Sequence, residues 1–310
     1  MNRKREIPEI FESKTFLDPT YEPGFREVFK DADTIRDFLN SVLHLDENRE
    51  IDSLSFEYED RIKFKMPSAR SVVLDIHAWT RDHRCVDIEI QRCSHPFFVD
   101  RVLLYSFFLA IKGKQKMDKS PEFRLLPEYE RKRRRYELPE VVSIWICNFH
   151  PLGEARDYRE EWNLFSDYDL KKGYVLPVSK KMNYILFDLR SFTKKPEELK
   201  SKEDQWLYLL SKAGDNNELP DFDDDYVARA VDRLRIDNAS DELIHAQEQK
   251  MMSQDEIDCR IGDGVARGVE QGIQQGIHQG ENNALDVARS LGVSEEVLDQ
   301  IRQKLAENKQ

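Results

Sequence analysis

Apolar and polar positions between residues 72 and 91 predict two neighbouring β-strands. Apolar residues surround Asp75, a polar segment follows, and the chain then alternates between apolar and polar positions with a period of two. That period places Asp87, Glu89 and Gln91 on one face of a strand and valine and isoleucine on the other. The sequence therefore predicts a β-hairpin whose polar face lines a cleft, meets solvent or holds an ion.

The register of this hairpin decides whether its acids meet. If the loop has an odd number of residues, such as 81–83 or 80–84, two acids pair directly across the strands. Asp75 then lies opposite Glu89 on the same face, whereas an even loop moves Asp75 to the other face. Neighbouring carboxylates repel each other unless a cation lies between them, and Mg²⁺ or Mn²⁺ binds through one or two carboxylates. The alternative is a two-sided hairpin that exposes its acids to water.

The rest of the chain alternates strand patterns with helix patterns, which predicts an α/β or α+β fold with a mixed sheet. The predicted strands are 51–59, 61–66, 71–79, 85–91, 141–148 and 183–188, and the predicted helices are 25–30, 34–43 and 97–113, with more near the C-terminus. We expect residues 1–15 to be disordered, residues 16–238 to form the sheet domain and residues 239–310 to form a helical tail.

Glycine recurs at every fourth residue within the tail. The five positions are Gly264, Gly268, Gly272, Gly276 and Gly280. This spacing puts them on one stripe of a helix, beside a stripe of valine and isoleucine. Each glycine costs a helix roughly 1 kcal/mol relative to alanine. The pattern indicates either a helix that pairs closely with a partner or a flexible, partly helical spacer, and residues 284–305 predict a short helical hairpin suited to homo-oligomerisation or docking.

Overall charge excludes some classes of function. The 310 residues carry a formal net charge of −12, which argues against a protein that coats nucleic acid through bulk electrostatics. No apolar stretch approaches the roughly 18–20 residues of a membrane span. The N-terminal residues are charged and have no apolar signal-peptide core, so we expect a cytoplasmic protein.

A basic run stands apart from this acidic background. It consists of Arg131, Lys132, Arg133, Arg134 and Arg135. Tyr129 and Tyr136 flank it, so a loop here can bind phosphates through its cations and stack bases on its tyrosines. The alternative is a solvated basic loop that offsets the surrounding acids.

Several segments, taken in order, resemble a known family. They are Glu22 followed by Phe25-Arg26, a helix that contains Phe38-Leu39-Asn40, the hairpin, the pair Arg101 and Tyr105 one helical turn apart, and the strand 141–149. This order is similar to that of the PD-(D/E)XK nuclease family transposases, also called Rpn recombination-promoting nucleases. The hairpin resembles their Asp…Glu-x-Lys core, with Gln91 in place of the lysine. The resemblance implies a restriction-endonuclease-like mixed sheet flanked by helices.

The resemblance also implies a DNA endonuclease that depends on Mg²⁺ or Mn²⁺. Asp75 and Glu89 would bind the metal, Gln91 would position water or a phosphate oxygen, and Glu22 would complete the acid set. Arg101, together with the basic run, would hold the DNA backbone. Sequence specificity would be low because no segment is built to read base edges. Strand cleavage is expected rather than strand transfer.

Departures from the family pattern favour a second hypothesis. The family usually has Asp and Lys where this chain has Glu22 and Arg26. An amide at Gln91 cannot carry the positive charge of a lysine. The second hypothesis is therefore a catalytically inactive nuclease-fold protein that acts as an oligomerising interaction module.

Overall fold

The computed structural model describes residues 7–45, 49–62 and 72–307. Its described residues up to Glu256 form a mixed sheet with helices on both faces. The strands are β1 (Leu54–Ile62), β2 (Val72–Thr80), β3 (Cys85–Gln91), β4 (Val141–Cys147), β5 (Arg159–Leu164) and β6 (Ser179–Asp188). Their order in the sheet is β1-β2-β3-β4-β6-β5. β1, β2 and β3 are antiparallel neighbours, β4 is parallel to β3 and β6, and β5 is antiparallel to β6. The predicted mixed α/β sheet is confirmed.

Helices cover both faces of this sheet. The helices of the described residues are α1 (Glu22–Val28), α2 (Ala32–Leu43), α3 (Phe98–Lys119), α4 (Pro121–Arg124), α5 (Glu128–Arg133), α6 (Asp167–Lys171), α7 (Lys202–Lys212), α8 (Asp225–Leu234), α9 (Asp241–Met251), α10 (Gln254–Ser290) and α11 (Glu295–Glu307). None of the helices in the described residues is long and apolar enough to cross a membrane.

Strand alternation divides the apolar residues into two cores. On one face Ile88 and Ile144 join a large core that includes Phe38 of α2 and Trp206 of α7. On the other face Trp145 and its neighbours pack under α3. Each fully buried large apolar side chain contributes about 1.5–3 kcal/mol. Because both faces are covered, the polar residues of β2 and β3 that point towards α3 lie inside the protein.

The hairpin between β2 and β3 has the register that an odd loop predicts. Four residues separate β2 from β3, but the Thr80 N–H donates to the Arg84 carbonyl at 3.1 Å, so the pairing extends to Thr80 opposite Arg84 and leaves a three-residue turn at 81–83. At the other end, backbone pairing stops with Ile76 opposite Ile88. One further step along both strands places Asp75 opposite Glu89. The two acids therefore share the face that α3 covers.

Residues 7–15 are packed, unlike the disorder that we expected for residues 1–15. Phe11 belongs to the large core and is 3% exposed. The backbone N–H of Ile236 donates to the Thr15 carbonyl at 3.0 Å, which attaches this segment to the end of α8. Apolar side chains and a backbone hydrogen bond thus order the segment. Residues 1–6 lie outside the described residues.

The chain divides into two compact units, Met1–Glu256 and Ile257–Gln310. The boundary falls later than the expected position after residue 238 because α9 packs against α1 in the first unit. Ile244 of α9 is 2% exposed within the large core. In the second unit, Leu285 and Leu298 are buried where α10 and α11 form a helical hairpin.

Three segments differ from the elements that the sequence predicts. Residues 54–62 form one strand, β1, where the sequence predicts two strands at 51–59 and 61–66, and residues 63–66 lie outside the described residues. Residues 128–133 form the short helix α5 instead of a loop, and Glu128 pairs with Lys132 one turn later at 2.7 Å. Residues 159–164 form the edge strand β5, in which charged residues at three of six positions hide the apolar pattern of a strand. β5 lies at the sheet edge farthest from β1, and β4 and β6 separate it from β3. α5 lies in the connection from α3 to β4.

Candidate active site

Asp75 and Glu89 face each other where the backbone pairing of β2 and β3 ends. The Asp75 N–H donates to Glu89 Oε1 at 2.8 Å, and the Ile90 N–H donates to Asp75 Oδ2 at 3.0 Å. Each carboxylate thus accepts a hydrogen bond from the backbone of the opposite strand. The second oxygen of Glu89, Oε2, is buried and has no hydrogen-bond partner.

Burial makes this acid pair difficult to ionise. It raises the pKa of Asp75 to about 6, and the negative charge of Glu22 adds to the effect. Burial also raises the pKa of Glu89 well above its usual range, and the charges of Asp75 and Asp87 raise it further. A cation between the two carboxylates would relieve both effects.

The donor set fits a hard divalent cation. Mg²⁺ binds through one or two carboxylates and completes its shell with waters and substrate phosphates. In the part of the chain that the structure describes, no group of three or more His, Cys, Asp and Glu residues is arranged to hold a metal ion. Among the acids, a cation here would therefore be held by Asp75 and Glu89, whose Oε2 is buried and accepts no hydrogen bond.

Arg101 supplies the positive charge closest to these acids. Its Nη1 donates to Gln91 Oε1 at 2.8 Å, and its Nη2 lies 3.8 Å from Glu89 Oε2. The guanidinium also lies 4.9 Å from the ring centroid of Tyr105 and 5.7 Å from that of Trp145. The sequence allows Arg101 either to hold a DNA phosphate or to pin the hairpin, and its hydrogen bond to Gln91 and its proximity to Glu89 attach it to the hairpin.

Glu22 lies near the pair but is held by cations. Its Oε1 pairs with Arg26 at 2.8 Å, and its Oε2 lies 3.8 Å from Lys250 of α9. Its charge still reaches the pair, because it is one of the causes that raise the pKa of Asp75. Glu22 therefore contributes to the electrostatics of the pair from within its own ion pairs.

Asp87 is a third acid that sequence analysis left unassigned. It is fully buried on the same face as Glu89, and burial raises its pKa well above the usual range. The charge of Asp75 raises it further, whereas Arg101 opposes the shift. Strand alternation places Asp87 on this face, but no local pattern in the sequence indicates that α3 covers it. Asp87 is a fully buried acid on the same face as the pair.

The basic run 131–135 lies at the other end of the strands. It belongs to the connection from α3 to β4, and β4 begins where Cys85 pairs with Val141, opposite the Gln91 end. Its side chains have acidic neighbours: Lys132 pairs with Glu128, Arg133 with Glu130, and Arg134 with Glu137. The structure does not bring this run to the acid pair.

Comparison with family models shows to which protein family the chain belongs. The model of the PD-(D/E)XK nuclease family transposases matches residues 24–259 of the chain. The chain belongs to this family. The match includes Asp75, Glu89, Gln91 and Arg101 and begins two residues after Glu22. No curated protein and no solved structure matches the chain. Family membership confirms the resemblance and indicates a nuclease or transposase that acts on DNA.

Proposed function

We propose that this PD-(D/E)XK family member is a cytoplasmic DNA endonuclease that depends on Mg²⁺ or Mn²⁺. One observation carries the proposal: Asp75 and Glu89 meet across the hairpin, and Glu89 Oε2 is buried without a hydrogen bond. Two carboxylates so close together, of which Glu89 is fully buried and Asp75 is partly buried, destabilise the folded protein unless they bind a proton or a cation. Membership in a nuclease family supports a metal ion, rather than a proton, as what the pair binds during function.

Each side chain of the pair has a distinct role in this proposal. Asp75 and Glu89 hold the divalent cation, which when bound supplies an activated water and neutralises charge on the scissile phosphate. Gln91 accepts from Arg101 through its oxygen, so its amide nitrogen can donate to water or a phosphate oxygen. Arg101 orients Gln91 and adds positive charge beside the reacting phosphate. Glu22 modulates the charge of the pair from α1.

DNA contacts in this proposal are made to the backbone. Arg101 holds a phosphate near the acid pair, and the basic run 131–135 binds phosphates farther along the DNA. Contacts of this kind carry no sequence information, so we infer low sequence specificity. Because the chemistry needs only hydrolysis at one phosphate, strand cleavage is expected without strand transfer.

Plasmid cleavage tests the proposal directly. The full chain is incubated with supercoiled plasmid in Mg²⁺, Mn²⁺ or EDTA, beside Glu89→Gln and the control Glu128→Gln, which removes an exposed acid on α5. The parent protein and the control are expected to cleave the plasmid with either metal. Glu89→Gln is expected to cleave it with neither metal. Cleavage that persists in Glu89→Gln would place the activity at another site or in a contaminant.

The second candidate function is a non-catalytic interaction module with the same fold. Gln91 in place of the family lysine and the net charge of −12 favour it. It predicts no cleavage in any metal while self-association through the tail persists. The same plasmid experiment, combined with a mass measurement, therefore separates the two functions.

We also propose that α10 joins copies of this chain. It carries exposed apolar side chains at a spacing of four residues, namely Ile257, Ile261, Val265, Val269, Ile273 and Ile277. A continuous exposed apolar stripe of this length on a helix is typical of a surface that pairs with another helix. A second copy presents the same stripe together with the glycines beside it, so the backbones can approach closely.

Charges placed on this stripe are expected to separate the copies. Val269→Glu with Ile273→Glu should reduce the mass in light scattering to that of one chain, 36.7 kDa. Gln275→Glu with Gln279→Glu adds the same charge to another face of the helix and should leave the assembly intact. A parent protein of one-chain mass, or equal masses for both variants, would refute the pairing.

A further inference from the structure

A cavity of about 730 Å³ lies beside the tip of the β2–β3 hairpin. Its wall consists of the C-terminal half of α3, the start of β1 and the end of β2. Four cations line it, Arg81, Lys112, Lys116 and Lys119, and the described residues of the wall include no Asp or Glu. A wall of this composition in a chain with a net charge of −12 favours an anionic ligand.

An aromatic ring lies among these cations. The Lys116 ammonium is 4.1 Å from the ring centroid of Trp79, which also lines the cavity. Lys112 Nζ lies 3.7 Å from the exposed carboxylate of Glu57 and 3.4 Å from His77 Nδ1. Cations beside an aromatic ring are the combination that binds single-stranded nucleic acid, because phosphates pair with the cations and bases stack on the ring.

The cavity lies on the same face of the sheet as the acid pair. Asp75 and Trp79 are four residues apart on β2, so their side chains point to the same side, about 13 Å apart along the strand. On α3, Lys112 follows Arg101 at a distance of about 16 Å along the helix axis. One strand of B-form DNA advances about 3.4 Å per nucleotide. The cavity is therefore about four or five nucleotides from the acids.

We propose that this cavity binds an unpaired nucleotide of the DNA strand that passes the acid pair, with its base against Trp79 and its phosphates on Lys112 and Lys116. This inference rests on the proposed function and makes DNA with a single-stranded segment about four or five nucleotides from the cut the preferred substrate, a segment that negative supercoiling also opens in a plasmid. A base inside a regular duplex stays stacked and cannot reach the ring, whereas a base in an overhang or an open junction can.

Binding measured without cleavage tests the cavity. In the Glu89→Gln chain without metal, fluorescence anisotropy follows a labelled single strand of about twelve nucleotides and its duplex over a range of salt concentrations. Lys112→Gln with Lys116→Gln should weaken single-strand binding at least about tenfold and reduce the salt slope by about 1.4. The control is Lys114→Gln with Lys171→Gln, which removes two cations outside the cavity wall and should change neither value.

Stacking is tested separately from charge. Trp79→Leu should weaken single-strand binding about tenfold and leave duplex binding unchanged. Trp79→Phe keeps an aromatic ring, and Lys112→Arg with Lys116→Arg keeps the charge. Both variants should bind the single strand as the parent does, which would show that lost binding in the other variants is not due to misfolding. Equal losses for single strand and duplex in Trp79→Leu would overturn the inference. So would equal binding by the lysine variant and its control.

The source of the nucleotide and the catalytic proposal are also distinguished. If a mononucleotide at micromolar concentration displaces the labelled single strand, the inference is overturned in favour of a small phosphorylated ligand. If the parent protein cleaves no plasmid while lysine-dependent single-strand binding persists, the endonuclease fails and the cavity stands. If plasmid is cleaved and the lysine variant binds as its control does, the cavity fails and the endonuclease stands.

Discussion

Replacing Asp75 by asparagine is expected to abolish metal-dependent cleavage and to stabilise the metal-free protein. Asparagine keeps an oxygen that can accept from the Ile90 N–H, but it removes the negative charge that would hold the cation. Several kcal/mol of charge stabilisation are lost with the cation, which corresponds to a rate at least about a thousandfold lower. The same substitution removes the repulsion between Asp75 and Glu89.

The gain in stability should depend on pH in a defined direction. Burial raises the pKa of Asp75 from 3.8 to about 6 in the folded protein. A raised carboxyl pKa means that the folded state holds the proton more tightly than the unfolded chain, so the parent protein loses stability as pH rises from about 4 through 6. Asp75→Asn does not titrate. We expect it to exceed the parent in stability by about 3 kcal/mol at pH 8 and by little at pH 4.

Thermal unfolding without metal, measured at both pH values, checks this expectation. Asp167→Asn removes an exposed acid on α6 and should follow the parent at both. Added Mg²⁺ should raise the melting temperature of the parent and of this control, because it binds only their folded state, and should leave Asp75→Asn unchanged. If Asp75→Asn is less stable than the parent at pH 8, the charge of Asp75 does not destabilise the metal-free protein and this expectation is wrong.

Replacing Arg101 by glutamine is expected to slow cleavage by about a hundredfold, and adding Gln91→Lys should restore much of the rate. Arg101 is the cation next to Gln91 and Glu89, so its loss removes the positive charge that contacts both residues and leaves Arg26 as a cation that acts on Asp75. A lysine at position 91 would carry that charge on the strand, where the family pattern usually has it. The two substitutions therefore move one charge from α3 to β3.

The pH dependence of cleavage shows whether Arg101 acts through charge. Arg101 is one of the groups that hold down the pKa of Asp75, so its loss should move the acidic limb of the pH–rate profile to higher pH. Gln91→Lys in the same chain should move it back. Equal melting temperatures would show that the fold is retained. A double variant as slow as Arg101→Gln, with an unshifted profile, would show that Arg101 has no electrostatic role.

The sequence predicts the hairpin well because strand alternation is a local property. Spacing and resemblance identify Asp75, Glu89 and Gln91, but they do not determine the loop parity that brings the acids together, which the three-residue turn sets. Alternation also placed Asp87 on the polar face. It could not show that α3 covers this face, since that depends on how a helix distant in sequence packs.

Other parts of the site depend on contacts that no local pattern contains. Arg101 was identified as a cation on α3, but its position between Gln91 and Glu89 follows from the packing of α3 on the sheet. The basic run 131–135 drew attention because its charges are consecutive, whereas the cations of the cavity are spread over α3 and the hairpin loop. Consecutive charge is visible in a sequence, and charge gathered by folding is not.

The hydrogen bonds of the acid pair give this protein two native spectroscopic reporters. The amide protons of Asp75 and Ile90 donate to carboxylate oxygens, so their electronic surroundings change whenever those oxygens gain a proton or a cation. In an ¹⁵N-labelled sample, these two resonances should shift together during a titration with acid or Mg²⁺. The occupancy of the pair could then be followed atom by atom, with no substrate and no turnover.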